Sequence, residues 1–176
     1  SIHHGVEAGI GYVPADRIRV GLFMEHPIKD NIVPIIINTL INKLGFLIPR
    51  KIREVSEKWV KELAVKTPSV DLPAQSLSGG NQQRLVLAKW LAADPTVLIM
   101  DGPTVGVDIG SKAEIHELMR DMGKEGRGVI LVSDDIQELL QVCNRVLVMR
   151  DGKIISEHLT KEITEEVLYI ELIAND

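Results

Sequence analysis

The run Leu77-Ser78-Gly79-Gly80-Asn81-Gln82-Gln83-Arg84 constrains the fold most, because an apolar segment, Leu98-Ile99-Met100-Asp101, begins fourteen residues after Arg84. A serine followed by two glycines reads as a turn that opens a helix. Ser78 is expected at the N-cap, and the glycines let backbone N–H groups approach an anion closely. The helix is expected to run to about Ala93, where Asp94-Pro95 breaks it, with Leu85, Ala88, Leu91 and Ala92 inward. The run ending in Asp101 reads as a buried strand with a carboxylate at its end. The sequence lacks a companion element. No G-x-x-x-x-G-K-[ST] phosphate loop occurs, and Gly123-Lys124 and Gly152-Lys153 have neither the earlier glycine nor a following Ser or Thr.

The remaining pattern fits an α/β protein. Gly9 to Pro14 reads as a short strand stopped by proline, and Ala15 to Leu22 as a charged loop. Asp30 or Asn31 is expected to cap a helix through about Asn42, with Pro34 tolerated in its first turn. Arg50 to Lys66 reads as an amphipathic helix with Ile52, Val55, Trp59, Val60 and Leu63 on one face. Thr96–Met100, Val129–Val132 and Arg145–Met149 read as strands, with helices over about Ser111–Met122 and Ile136–Val142 between them. That alternation predicts a parallel sheet with both faces covered. Asp151-Gly152 predicts a hairpin turn into Lys153–Glu157, and a last helix covers about Glu162 to Leu172.

Hydrophobic residues make up 45% of the 176 residues but aromatics only 3%, so the core is aliphatic. A net charge of -5 gives no support for binding to nucleic acid. The single Cys143 excludes a disulfide framework and reads as a small apolar residue. Ile2-His3-His4-Gly5 has no signal-peptide pattern. The apolar stretch Ile32–Ile41 is far shorter than the roughly 20 residues of a spanning helix. His3-His4 has no accompanying ligand set and reads as a solvated pair. His26, His116 and His158 are isolated and carry no assigned role.

These residues, in this order, resemble the ATP-binding subunits of ABC transporters over about Gly5 to Glu171. Leu77 to Gln83 resembles the family signature motif. The Asn81 variant, Gly106-Val107-Asp108 and the segment Val13 to Leu22 resemble the second ATP-binding domain of monosaccharide (ribose/galactose-type) importers, where that segment replaces the glutamine loop. The resemblance implies a partial P-loop NTPase, RecA-like parallel sheet with a helical signature subdomain. Its expected division is a core strand and glutamine-loop-equivalent segment over residues 1–25, the helical subdomain over 26–94, and an α/β portion with C-terminal hairpin and helix over 95–176. It implies that Ser78, Gly79, Gly80, Asn81 and Gln82 contact the γ-phosphate of ATP held by the opposite subunit. Asp101 corresponds to the Walker B aspartate that holds the shell of Mg2+, and Asp108 to the D-loop aspartate. Asp108 also reads locally as an N-cap before Ser111.

Three departures from the family pattern bear on chemistry. Gly102 stands where a water-polarising glutamate is expected, Asp134 stands where the switch histidine is expected, and the phosphate loop is absent. Together they predict no ATP hydrolysis by this chain alone. Val105 also replaces an arginine common in the sugar subfamily. The implied role is the ATP-binding component of an importer for a sugar or related small solute. Its partners would be a second ATP-binding domain or subunit, integral membrane permease subunits and, indirectly, a periplasmic or extracellular solute-binding protein, with no nucleic acid. Its place would be peripheral, on the cytoplasmic face of the cell membrane, with docking near Arg17 to Met24 and the helix after Asn31. Two alternatives remain: a non-catalytic interaction module, and an ABC ATPase outside transport.

Overall fold

The computed structural model describes residues 2–173. The chain forms two compact units, Ser1–Ile130 and Leu131–Asp176. The first carries α1 (Ile2–Glu7), β1 (Ile10–Val13), a single π-helical turn (Arg17–Gly21), α2 (Ile28–Ile32), α3 (Pro49–Glu62), α4 (Gly79–Leu91), β2 (Val97–Asp101) and α5 (Ile109–Lys124). The strand β3 (Gly128–Val132) runs across the boundary between the units. The strand order is β1-β2-β3. β1 pairs in parallel with β2, placing Ile10 opposite Val97 and Val13 opposite Met100.

The core of this unit forms around α4. Leu85, Val86, Leu87 and Ala88 are buried with Ile28 and Ile32 of α2, Val13 of β1, and Leu98 and Met100 of β2. The helix was expected to bury one face, yet Gln82, Gln83, Arg84 and Lys89 are buried too. Buried polar groups persist where they find partners. Gln82 Nε2 donates to Leu77 O at 3.0 Å, and Arg84 donates to Leu63 O at 3.3 Å and Ala64 O at 2.8 Å while pairing with Glu114. Lys89 Nζ donates to Gly21 O and lies 5.5 Å from the centre of the Phe23 ring.

Several expected elements are altered by tertiary partners. The helix predicted through Asn42 is instead α2, ending at Ile32, followed by a 3-10 segment over Pro34–Thr39. Pro34 cannot donate to an α-helical ladder. Asn31 does not cap; its buried side chain accepts from Phe23 N at 2.7 Å and donates to Phe23 O at 3.0 Å and Pro27 O at 3.1 Å. α3 stops short of Lys66 because Ala64 turns left-handed, at φ 48°, and the Leu63 and Ala64 carbonyls go to Arg84. Ile52, Val55, Trp59, Val60 and Leu63 form its half-buried face as expected. The Ala15–Leu22 segment is not an open loop. Asp16 accepts from Ile18 N at 3.2 Å and Arg19 N at 3.0 Å and starts the π turn.

The sheet is not covered on both faces. Leu98 and Met100 are buried, but Ile10 and Tyr12 are 40% and 42% exposed, and Ile130 and Val132 are each 51% exposed. An apolar strand run reports burial capacity, and whether both faces are covered depends on what packs there. Nor does Arg145–Met149 extend a parallel sheet. In the second unit, β4 (Arg145–Arg150) pairs antiparallel with β5 (Lys153–Leu159) as a separate two-stranded sheet. Asp151 and Gly152 both have positive φ, 49° and 74°, which is the twist a two-residue hairpin turn needs. Val146 and Val148 pack with Leu168 of α7 (Glu165–Ile173), and with Ile136, Leu139 and Leu140 of α6 (Ile136–Val142).

Asp71 ties α2 to α3. Its carboxylate accepts from Lys29 Nζ and Arg53 Nη2, both at 2.6 Å. These bonds, Lys29 first, hold its pKa down from 3.8 to about 2. A depressed carboxyl pKa gives stability that is present above the unfolded value and lost as pH falls through the folded one. Stability is therefore expected to fall between pH 3.8 and about 2, and to fall less in Asp71→Asn. Thermal melting across that range checks this; parallel curves for the two proteins would refute it.

Candidate functional site

The start of α4 is the centre of the site. Ser78 occupies the N-cap position with extended backbone, φ -64° and ψ 160°, but its side chain makes no capping bond. Ser78 Oγ instead accepts from Asn81 Nδ2 at 2.8 Å, while Asn81 Oδ1 accepts from Lys66 N at 2.8 Å. Asn81 thus reaches back to the cap serine and secures the preceding loop. The expected Ser78 cap is corrected by this competition. The first N–H groups of a thirteen-residue helix are left without a side-chain acceptor. Unsatisfied N–H groups and the helix dipole favour an anion at such an end. Ser78 is exposed and Gly79 half-buried, so the end is open; Gln82 is buried and supports the turn from within.

Asp108 lies against this end. It is the N-cap of α5, as expected, and accepts from Ser111 N at 3.0 Å and Ser111 Oγ at 2.8 Å. These bonds, the backbone one first, hold its carboxyl below the ordinary range. The two helix starts meet at Gly80, where a Cβ would collide with the Ser111 hydroxyl and sit 3.2 Å from Asp108 Oδ2. A Cβ on Gly79 would lie 3.0 Å from Arg17 Nη2 and 3.3 Å from Gly106 O. Ser78, Gly79, Gly80, Asn81 and Asp108 therefore form one cluster. Arg17 and Ser111 also belong to it. The sequence singled out neither in this role, because their neighbours are distant in the chain or visible only through the glycines.

Asp101 stands apart from that cluster, at the end of β2, where Tyr12 Oη donates to its Oδ2 at 3.1 Å. That bond pushes the Tyr12 phenol above its ordinary value. Asp101 presents one carboxylate, and among the described residues no group of three His, Cys, Asp or Glu side chains is placed to hold a metal ion. Gly102 follows with φ 53°, a left-handed value that a glutamate there would adopt only with strain. Asp134 is exposed in the second unit, between Ser133, whose hydroxyl donates to Glu138 Oε2 at 2.6 Å, and Asp135, the N-cap of α6.

The ABC transporter family model matches residues 2–105. Ribose import ATP-binding protein RbsA 2 of Rhizobium meliloti (strain 1021) is 43% identical, over 92% of this chain and 31% of its own length. Ribose import ATP-binding protein RbsA of Rhodococcus jostii (strain RHA1) is 40% identical, over 92% of this chain and 32% of its own. The chain thus spans about a third of the length of these relatives. Among solved structures, a dimeric ATP-binding cassette in a post-hydrolysis state bound to ADP and Pi matches with TM-score 0.69 at 22% identity, covering 88% of this chain and 64% of that one. At that identity the match establishes the P-loop NTPase fold.

Proposed function

Because the chain belongs to the ABC transporter family, we propose that it is the signature-bearing portion of the ATP-binding component of an importer for ribose or a related small solute. The observation that carries this is the open, uncapped start of α4 beside Asp108 and Arg17. Its N–H groups suit a phosphate oxygen, and the residues there are small enough to admit one. In this reading Ser78, Gly79, Gly80 and Asn81 face the γ-phosphate of ATP held by a second ATP-binding domain, with Gln82 bracing the turn. Asp108 sets the edge of that contact. The helical segment within residues 26–94 presents the signature. A membrane permease docks near Arg17 to Met24 and α2, at the cytoplasmic face. No helix among the described residues is long and apolar enough to cross a membrane.

Bound ATP-Mg2+ would supply the phosphoryl group and the metal's charge, and Asp101 would offer one carboxylate to the metal's shell. Gly102 supplies no side chain to polarise water, so hydrolysis depends on the partner's groups. This polypeptide alone is expected to bind ATP-Mg2+ weakly or not at all, and to raise the ATPase rate of a competent partner. Isothermal titration and rate measurements check both. Micromolar affinity for ATP by the chain alone, or no effect on any partner's rate, would overturn the reading; the second outcome would leave an interaction module.

A further inference from the structure

We propose that Arg17 is a positioning residue that fixes the Asp108 loop against the start of α4, an inference that rests on the function proposed above. Its guanidinium crosses from the π turn to the loop after β2. Nη1 donates to Val105 O at 2.8 Å and Nη2 to Gly106 O at 3.2 Å. Two parallel N–H groups on successive carbonyls fix both position and orientation, which a single ammonium cannot do. Gly106, at φ 69°, turns its carbonyl into reach, and a Cβ there would lie 3.5 Å from Nη2. The same Nη2 lies 3.0 Å from where a Cβ on Gly79 would stand. One side chain therefore touches the π turn, the loop leading to Asp108 and the opening of α4.

The charge of Arg17 has no carboxylate partner among the described residues. The adjacent Asp16 spends its oxygens on Ile18 N, Arg19 N and the Arg19 guanidinium. Arg17 Nε is buried with no hydrogen-bond partner, so the group is held by fit and by two carbonyls rather than by an ion pair. Beside a helix start whose first N–H groups have no side-chain acceptor, that guanidinium adds to the potential for an anion, set against the Asp108 carboxylate of the same cluster. It also links the segment proposed to dock on a permease to the end proposed to meet ATP. Arg17 acts on the phosphate contact through the loop and helix it holds.

Hydrogen exchange on this chain tests the clamp directly. In Arg17→Gln the amides of Val105, Val107 and Ser111 are expected to exchange at least about tenfold faster, the scale of losing a charged hydrogen bond. The β1–β2 amides are expected to stay unchanged, and Arg17→Lys is expected to recover less than half the effect. Unchanged exchange in the loop, full recovery by lysine, or uniform acceleration through the sheet would each overturn the clamp. With a competent partner, Arg17→Gln is expected to lower kcat at least about tenfold with KM for ATP within about twofold. Gly79→Asp serves alongside. If Gly79→Asp abolishes hydrolysis while Arg17→Gln leaves kcat intact, the positioning role fails and the proposed function stands. If Gly79→Asp has no effect on the rate, the proposed function fails, and the positioning role fails with it.

Discussion

Gly79→Asp is expected to abolish the hydrolysis that this chain stimulates in a competent partner, while the chain itself stays folded. Gly79 is at the first position of α4 and its φ lies outside the left-handed region, so an aspartate fits the helix backbone. Its Cβ would come within 3.0 Å of Arg17 Nη2, and the new carboxylate would pair with that guanidinium. The anion position would then be filled by the protein's own side chain. The carboxylate would also repel an incoming triphosphate; a unit charge pair about 4 Å apart interacts by about 4 kcal/mol at an effective dielectric near 20. ATPase rates and a melting curve, with exposed Glu117→Ala as control, check this. An unchanged rate in Gly79→Asp would mean that the helix end does not meet the nucleotide.

Lys89→Ala is expected to destabilise the chain by about 2–3 kcal/mol, the scale of stranding a buried acceptor and losing packed methylenes. Lys89 is 8% exposed, bonded to Gly21 O and placed over Phe23. Distance from the phosphate end does not make a residue of α4 a surface residue. Burial also lowers the pKa of the ammonium from 10.5. The unfolded chain then binds this proton more tightly, so stability rises with pH from the lowered value up to 10.5, and Lys89→Ala removes that rise. Urea unfolding near neutral and alkaline pH measures both. A change within about 0.5 kcal/mol, as at ordinary surface sites, would refute the first claim.

What local pattern determined is clear from particular elements. The Ser78-Gly79-Gly80 turn opens a helix, Asp108 caps the next one with Ser111, and Asp151-Gly152 turns the hairpin, because each signal is complete within about four residues. The family and its α/β fold were legible for the same reason, through short motifs in order. The identities of Gly102 and Asp134 were equally plain, since they are statements about residues.

Tertiary structure alone decided the rest. Arg17 meets Val105 and Gly106 across 88 and 89 residues, and no periodicity encodes such a meeting. Burial of Gln82, Arg84 and Lys89 in α4 contradicts their polarity, and the carbonyls of Leu77, Leu63, Ala64 and Gly21, together with the Glu114 carboxylate paired to Arg84, make it tolerable. Ser78 lost its cap to a competing bond from Asn81, whose other atom holds Lys66 N. The sheet's exposed Ile10, Tyr12, Ile130 and Val132 show the same limit. A residue's type sets what its burial is worth, and the rest of the fold sets whether it is buried.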